Sequence, residues 1–172
     1  MSNLSVELLS EFRGTDLSQL REAAEAAILA GGGFGWLEVP PRNAMESHWR
    51  TVIGSPHVEL YVARLDDRIV GSGQLIKAIP KNEAGGFAAN LSTLFVAPEA
   101  RRKGVARALF EAREQSARNQ GLTGLNLDVR STLTAAIALH ESCGFERWGT
   151  KPRYARIDGH YVGGHYYYKE IG

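Results

Sequence analysis

A single cysteine, Cys143, occurs among 172 residues. One thiol cannot close an internal disulfide, and it cannot build a cysteine-based zinc site. There is no H-E-x-x-H sequence, and the five histidines (48, 57, 140, 160 and 165) include no i, i+4 pair. No metal is therefore expected. A surplus of either charge is missing too. Lys and Arg total 20 against 19 Asp and Glu, a net charge of +1, which argues against broad nucleic-acid binding and against adhesion to acidic membranes. No apolar run is long enough to cross a bilayer, and no secretory leader pattern opens the chain. A cytoplasmic location is the default expectation. Repeats, linkers and low-complexity stretches are lacking as well. What is there is 44% hydrophobic and 23% charged, the balance of one ordinary globular domain over residues 1–172.

The periodicities alternate between strand and helix. Leu4 to Phe12 reads as a strand. Asp16 is placed to cap a helix running to about Ala30, which Gly31-Gly32-Gly33 stops. Pro40-Pro41 suits the start of a second helix carrying Met45, Trp49, Val52 and Ile53 inward. His57 to Leu65 and Arg68 to Ile79 read as a hairpin around Asp66-Asp67. Ala88 to Val96 is the next strand. A helix from Val105 to Gln120 turns Val105, Ala108, Leu109, Ala112 and Ser116 inward and leaves Arg107, Glu111, Arg113, Glu114 and Arg118 on a largely solvated face. Leu125 to Val129 is a short strand, Ser131 to Cys143 a helix, and Phe145 to Ile157 with Tyr161 to Ile171 a closing hairpin. The order predicts one α/β (α+β) domain with a mixed, mostly antiparallel sheet flanked by helices. The helical crossover makes the strand ending at Val96 parallel to the one beginning near Leu125.

Residues 96–106 read Val-Ala-Pro-Glu-Ala-Arg-Arg-Lys-Gly-Val-Ala. A strand, a short basic turn with Gly104 and then a helix is the layout of a phosphate cradle. The helix start offers unpaired N–H groups and the positive end of the dipole. Gly104 admits close approach of a ligand, Ala106 keeps the first turn slim, and Arg101, Arg102, Lys103 and Arg107 add cationic donors. There is no G-x-x-x-x-G-K-[ST] and no G-x-G-x-x-G after the strand, so neither a P-loop nor a dinucleotide site is indicated. The ligand implied is a pyrophosphate with an organic tail.

Arg101-Arg102-Lys103-Gly104-Val105-Ala106 resembles the coenzyme A loop, R/Q-x-x-G-x-G/A, of the GNAT superfamily of N-acetyltransferases. Ala136-Ile137-Ala138-Leu139-His140-Glu141-Ser142-Cys143-Gly144-Phe145 resembles that family's A-x-x-L-Y-E-x-x-G-F segment at the right spacing. The Gly31 to Gly35 stretch, Leu127-Asp128 and Tyr166-Tyr167-Tyr168-Lys169 look like a subgroup that contains a tabtoxin-resistance acetyltransferase. The resemblance implies a GNAT fold with the parallel strands splayed apart and the pantetheine arm of acetyl-CoA wedged between them. It places Leu94, Phe95 and Val96 against pantetheine, a backbone N–H of Val96 toward the thioester oxygen, and Ala136 and His140 beside CoA.

The departures concern chemistry. His140 stands where the family usually has the Tyr that protonates the leaving thiolate, and an imidazole can also donate. The alternative is that it only packs beside CoA while water supplies the proton. Asn90 stands where many relatives have a Glu base, and an amide accepts no amine proton. Asp128 is the candidate base, with Glu38, Glu59, His165 or a water chain as alternatives. Leu133 replaces a frequent Asn, and Arg102 a frequent Gly. Phe34, Trp36, Glu38, Asn90, Tyr154 and His165 are candidates to line the acceptor site, with His160 and Tyr167 behind them. Cys143 reads as a small packed residue, because transfer in this family is direct. The expected activity is direct transfer of acetyl from acetyl-CoA to a primary amine of a small molecule, with a homodimer as one possible assembly. The rivals are an acyl-CoA-binding sensor without catalysis and a protein or peptide N-acetyltransferase.

Overall fold

The computed structural model describes residues 2–32 and 34–172, so Gly33 of the glycine stretch lies outside the described residues. Twelve elements follow one another: β1 (Leu4–Leu8), α1 (Asp16–Leu29), α2 (Arg42–Ile53), β2 (Val58–Leu65), β3 (Arg68–Lys77), β4 (Ala88–Val96), a 3-10 turn (Pro98–Ala100), α3 (Val105–Asn119), β5 (Gly124–Arg130), α4 (Thr134–Ser142), β6 (Glu146–Ile157) and β7 (His160–Glu170). The strands form one seven-stranded sheet in the order β1-β2-β3-β4-β5-β7-β6. Every neighbouring pair is antiparallel except β4 and β5. The expected mixed sheet with one parallel pair is thus what forms.

Local chemistry accounts for most of the boundaries. Asp66 and Asp67 both take positive φ, 48° and 68°, the geometry that lets a two-residue turn follow the twist of β2 and β3. Pro41 precedes α2 as its cap residue, and Gly31 leaves α1 at φ 75°. Three expectations shift. Asp16 is the first helical residue and Thr15 holds the cap position. The Asp16 carboxylate instead accepts the Arg13 N–H at 3.2 Å and pairs with Arg64 at 3.0 Å. The first strand stops at Leu8, and α4 begins at Thr134, not Ser131.

The sheet has a core on each face. On one side Leu20, Met45 and Trp49 from α1 and α2 cover Leu60, Val62, Ile69 and Phe95. On the other, Val105, Leu109, Phe110 and Ala117 of α3 cover Tyr61, Leu75, Leu91, Leu125 and Leu127. The inward stripe of α3 therefore runs through Phe110, Arg113 and Ala117. Arg113 is 0% exposed, which corrects its placement on a solvated face. The correction has a cause on the facing strand: Gly73 has no Cβ, and one there would stand 2.9 Å from the Arg113 guanidinium carbon.

One irregularity matters for everything that follows. Gly71 pairs with Val96 and Ser72 with Phe95, but Gln74 pairs with Ser92, so β4 carries an extra residue opposite Gly73. Thr93 takes φ 50° there. A bulge of this kind flips the side-chain alternation beyond it. Ala89 and Leu91 face α3, yet Phe95 faces α1 and α2, while Leu94 and Val96 pack toward α3.

Candidate active site

β4 and β5 pair over only three positions, Ala88 with Gly124, Ala89 with Leu125 and Asn90 with Asn126. Beyond Asn90 and Asn126 the strands part, and a cleft of about 460 Å³ opens between them. Leu91 to Leu94 form one wall and Leu127 to Arg130 the other. Two strand edges that face each other without pairing suit an extended chain of amides, which would add as a strand does. On the α3 and α4 side the cleft meets Phe110, Arg113, Ala136 and His140. On the opposite side it meets Phe34 and Leu37 of the α1–α2 connection and Tyr154 and Arg156 of β6.

The basic turn lies at the end of β4. Gly104 is the residue before α3, at φ 79°, with no side-chain cap on the helix start. A Cβ there would meet nothing within 4 Å, so the N–H groups of the first turn open onto free space. That is the shape of an anion site. Arg102 also takes positive φ, 61°, so two left-handed residues curl the turn into a nest for an anion. Arg101, Arg102 and Lys103 are exposed, and no carboxylate among the described residues forms an ion pair with them. Val105 is buried and Ala106 half-buried at the first turn. Arg107 is turned elsewhere: its guanidinium donates to Ser142 Oγ at 2.9 Å and approaches Cys143 Sγ at 3.7 Å, tying α3 to the end of α4. Cradle and cleft together fit a nucleotide pyrophosphate followed by a pantetheine arm.

The bulge divides the three residues expected along pantetheine. Leu94 is on the cleft wall. Phe95 stacks on Phe34 at 5.0 Å in the core. Val96 lies past the cleft, paired with Gly71. Leu94, not Val96, is thus the member of that trio that meets the cleft.

His140 is 6% exposed and lines the cleft. It sits edge-on to Phe110 at 5.2 Å and to Tyr167 at 6.0 Å, and its Nδ1 has no partner. Burial, aided by the Arg113 charge, pushes its pKa down to about 4. The imidazole is neutral at neutral pH. Asp128 is exposed on β5 and faces the α1–α2 side, because its neighbours Leu127 and Val129 fill the α3 side. The Tyr154 hydroxyl donates to Asp128 Oδ2. Burial, then the bond to Asp128, raises the Tyr154 pKa, which keeps that hydroxyl protonated. The Tyr154 ring occupies space over Gly164, where a Cβ would be 2.1 Å from it.

Of the other expected acceptor residues, only Phe34 joins Tyr154 on the cleft wall. Trp36 packs against Phe34 and His48 at 5.7 and 4.7 Å. Glu38 is exposed and is not among the residues that line the cleft, and Asn90 is exposed at the last paired position before the splay. His165 Nδ1 is 2.9 Å from Thr150 Oγ1. Tyr167 is buried with its hydroxyl on Glu141 at 3.0 Å, and His160 sits at a strand end. Glu59 is committed to Tyr61, Ser116 and Gln120. The sequence reading missed Arg130 and Arg156. Arg130 donates to the Phe34 carbonyl at 2.8 Å, linking β5 to the α1–α2 connection. For Arg130 the spacing held a signal: Asp128 and Arg130 are two apart on β5 and share a strand face.

Residues 21–145 match the Acetyltransferase (GNAT) family, and the chain belongs to it. It is 48% identical over 132 residues, 77% of this chain and 79% of the relative, to an uncharacterized N-acetyltransferase of the hisH–hisA intergenic region of Azospirillum brasilense. An N-acetyltransferase from Staphylococcus aureus Mu50 superposes with a TM-score of 0.84 at 18% identity, covering 99% of this chain and 100% of that one. YncA, a putative acetyltransferase from Salmonella typhimurium with its cofactor acetyl-CoA, gives 0.77 at 16% identity over 98% and 94% of the two chains. The protein is an acetyl-CoA-dependent acyltransferase of the GNAT fold. Among the described residues no helix is long and apolar enough to cross a membrane.

Proposed function

We propose that the protein transfers acetyl from acetyl-CoA to the primary amine of a small molecule that also carries an anionic group. The observation that supports this reading is the wall of the cleft on the α1–α2 side. Asp128, held by Tyr154, shares that wall with Arg130 and Arg156, and among the described residues neither arginine is ion-paired with a carboxylate. A carboxylate is suited to orient an ammonium and to take a proton from it, and two guanidiniums without a carboxylate partner suit an acceptor carboxylate or phosphate. A cleft of about 460 Å³ that must also hold the pantetheine arm leaves room for a compact acceptor.

The catalytic division of labour we propose is supported by the cleft and the basic turn. The basic turn from Arg101 to Gly104 holds the pyrophosphate. The open edges of β4 and β5 hold the pantetheine amides, and a backbone N–H near Leu94 at the bulge serves the developing oxyanion. Asp128 holds the amine against the thioester, so positioning supplies a large part of the rate. His140, being neutral, offers a hydrogen bond near the sulfur while water supplies the proton.

The test is CoA thiol release against a panel of amines matched with and without an anionic group, beside peptides with free N-termini. Amino acids or amino phosphonates should turn over, faster as pH rises and the amine deprotonates, and their uncharged esters or amides should be poor. Fast acetylation of peptides with no turnover of any free amino compound would refute the small-molecule reading. No turnover of either, with tight CoA binding, would favour a sensor.

A further inference from the structure

The cation at the bottom of the cleft has no partner of opposite charge. Arg113 Nε donates to the Leu109 carbonyl at 3.0 Å, and Nη1 to those of Gln74 at 3.1 Å and Ser92 at 3.5 Å. Nη2 is buried and donates to nothing. The guanidinium carbon lies 4.9 Å from the Phe110 ring centre, and no described carboxylate is within 4.0 Å of the group. The buried acid of the other face is treated differently: Asp16 has Arg64 at 3.0 Å. Leaving a charge buried and unpaired is costly. Burial pulls Arg113 down to about 9, so it is still a cation at neutral pH.

Neutral carbonyls explain only part of the arrangement. They orient the fork and pin the bulge, since Gln74 and Ser92 flank Gly73 and Thr93 across the irregular pairing. They leave the charge uncompensated and Nη2 buried without a partner, in a residue that lines the cleft. The groups around it are accounted for. β3 and β4 offer only Gln74 and Ser92. On β2, Tyr61 donates its hydroxyl to Glu59 at 2.8 Å, and Glu59 is also paired with Lys77 at 3.4 Å. On α4 and just after it stand neutral His140 and the Cys143 thiol. An anion that entered the cleft would supply the missing charge.

We propose that Arg113 receives the charge of the CoA sulfur. When the amine nitrogen bonds to the thioester carbon, the C–S bond breaks and its electron pair goes to sulfur. The thiolate forms against the guanidinium, then takes a proton from water beside His140. The amine loses its surplus proton to Asp128 or to solvent, so that acetyl-CoA and an amine give an N-acetyl amine and the CoA thiol. This rests on the acetyl-CoA chemistry of the family and not on the identity of the acceptor.

The test needs no acceptor. The thiol of CoA bound to the whole protein is titrated by thiolate ultraviolet absorbance, with free CoA as reference. The bound thiol should titrate roughly one to three pH units lower. Arg113→Met should abolish the lowering while binding of desulfo-CoA stays near wild type, and Arg113→Lys should keep part of it. Should Arg113→Met fail to fold, the wild-type titration and Arg113→Lys still decide. A wild-type complex whose thiol titrates with free CoA would overturn the role of Arg113. Failure of CoA to bind at all would overturn it together with the cleft assignment, and calorimetry on the same samples tells the two apart.

Discussion

His140 shows how much a neighbourhood can change a residue that looks familiar in sequence. In the family pattern it stands for an acid. In the fold it lies between Phe110 and Tyr167 with the Arg113 charge nearby, and its pKa falls to about 4. Replacing it with Phe should lower kcat about tenfold and leave the acetyl-CoA KM near wild type, because only a transition-state contact is lost. Equal turnover by the variant would leave His140 as packing. The same residue makes a stability prediction. Its folded value lies below its ordinary 6.5, so the unfolded chain binds the extra proton between those values. Stability therefore falls as pH drops from about 6.5 to about 4, by roughly 3 kcal/mol at most. Urea denaturation at pH 7.5 and 4.5 should show His140→Phe losing less than wild type over that interval, and equal losses would contradict the shift. At this scale the motifs picked out residues that the fold puts at the start of α3, Gly104, and on the cleft wall, Ala136 and His140. The sequence was misleading where tertiary space decided. Arg113 reads as a surface charge by type, and only the missing Cβ of Gly73 on another strand shows that it is buried. Trp36, Glu38 and His165 have acceptor-site chemistry but are not among the residues that line the cleft.

Elements were far more legible than side chains, since alternation and helical stripes are carried by many residues at once. β4 was read to its two end residues, and β3, α3 and β5 nearly so. The bulge at Thr93 was not legible. A single extra residue leaves the β-type composition of Leu91 to Val96 unchanged, and what reveals it is register against β3. That bulge is why the oxyanion N–H we propose lies near Leu94, where the expectation had Val96. Two glycines test how elements meet ligands. Gly104 starts α3 at φ 79° with open space above it. Gly104→Val should keep the fold but strain the turn and fill the phosphate site, weakening CoA binding about tenfold or more. Unchanged affinity by calorimetry in a folded variant would sink the cradle. Gly164 on β7 supports the Tyr154 ring, where an added Cβ would overlap it at 2.1 Å. Gly164→Ala should displace Tyr154 from Asp128, cost about 1–3 kcal/mol of stability, and raise acceptor KM or lower kcat several-fold with the acetyl-CoA KM unchanged. An acceptor KM and kcat equal to wild type would remove Tyr154 from the acceptor wall.

At the scale of the molecule the sheet is nearly two sheets. β1 to β4 with α1 and α2 form one half, and β5, β7 and β6 the other. Between the two halves the sheet is joined by three parallel pairs, at Ala88, Ala89 and Asn90. The other bridges include the Thr123 and Gly124 N–H groups donating to the Phe87 carbonyl at 2.9 and 3.3 Å, Arg130 on the Phe34 carbonyl at 2.8 Å, Arg107 on Ser142 at 2.9 Å, and the core that α3 shares with β5. A ligand whose amides fill the open edges supplies the pairing the strands lack, so it binds the folded state and not the unfolded chain. Stability should therefore rise with CoA concentration, by about 2.7 kcal/mol at a hundred times Kd. The gain should be unevenly distributed. Amide exchange should slow most in Leu91 to Leu94 and Leu127 to Arg130, next around Gly104 and the start of α3, and little in β1 or the distal end of the β6–β7 hairpin. Desulfo-CoA should give the same pattern, since it keeps every amide of the arm. If protection rose equally across all strands, or only at the basic turn, the pantetheine arm would not lie between β4 and β5. The splay would then be a feature of the fold rather than the seat of its co-substrate.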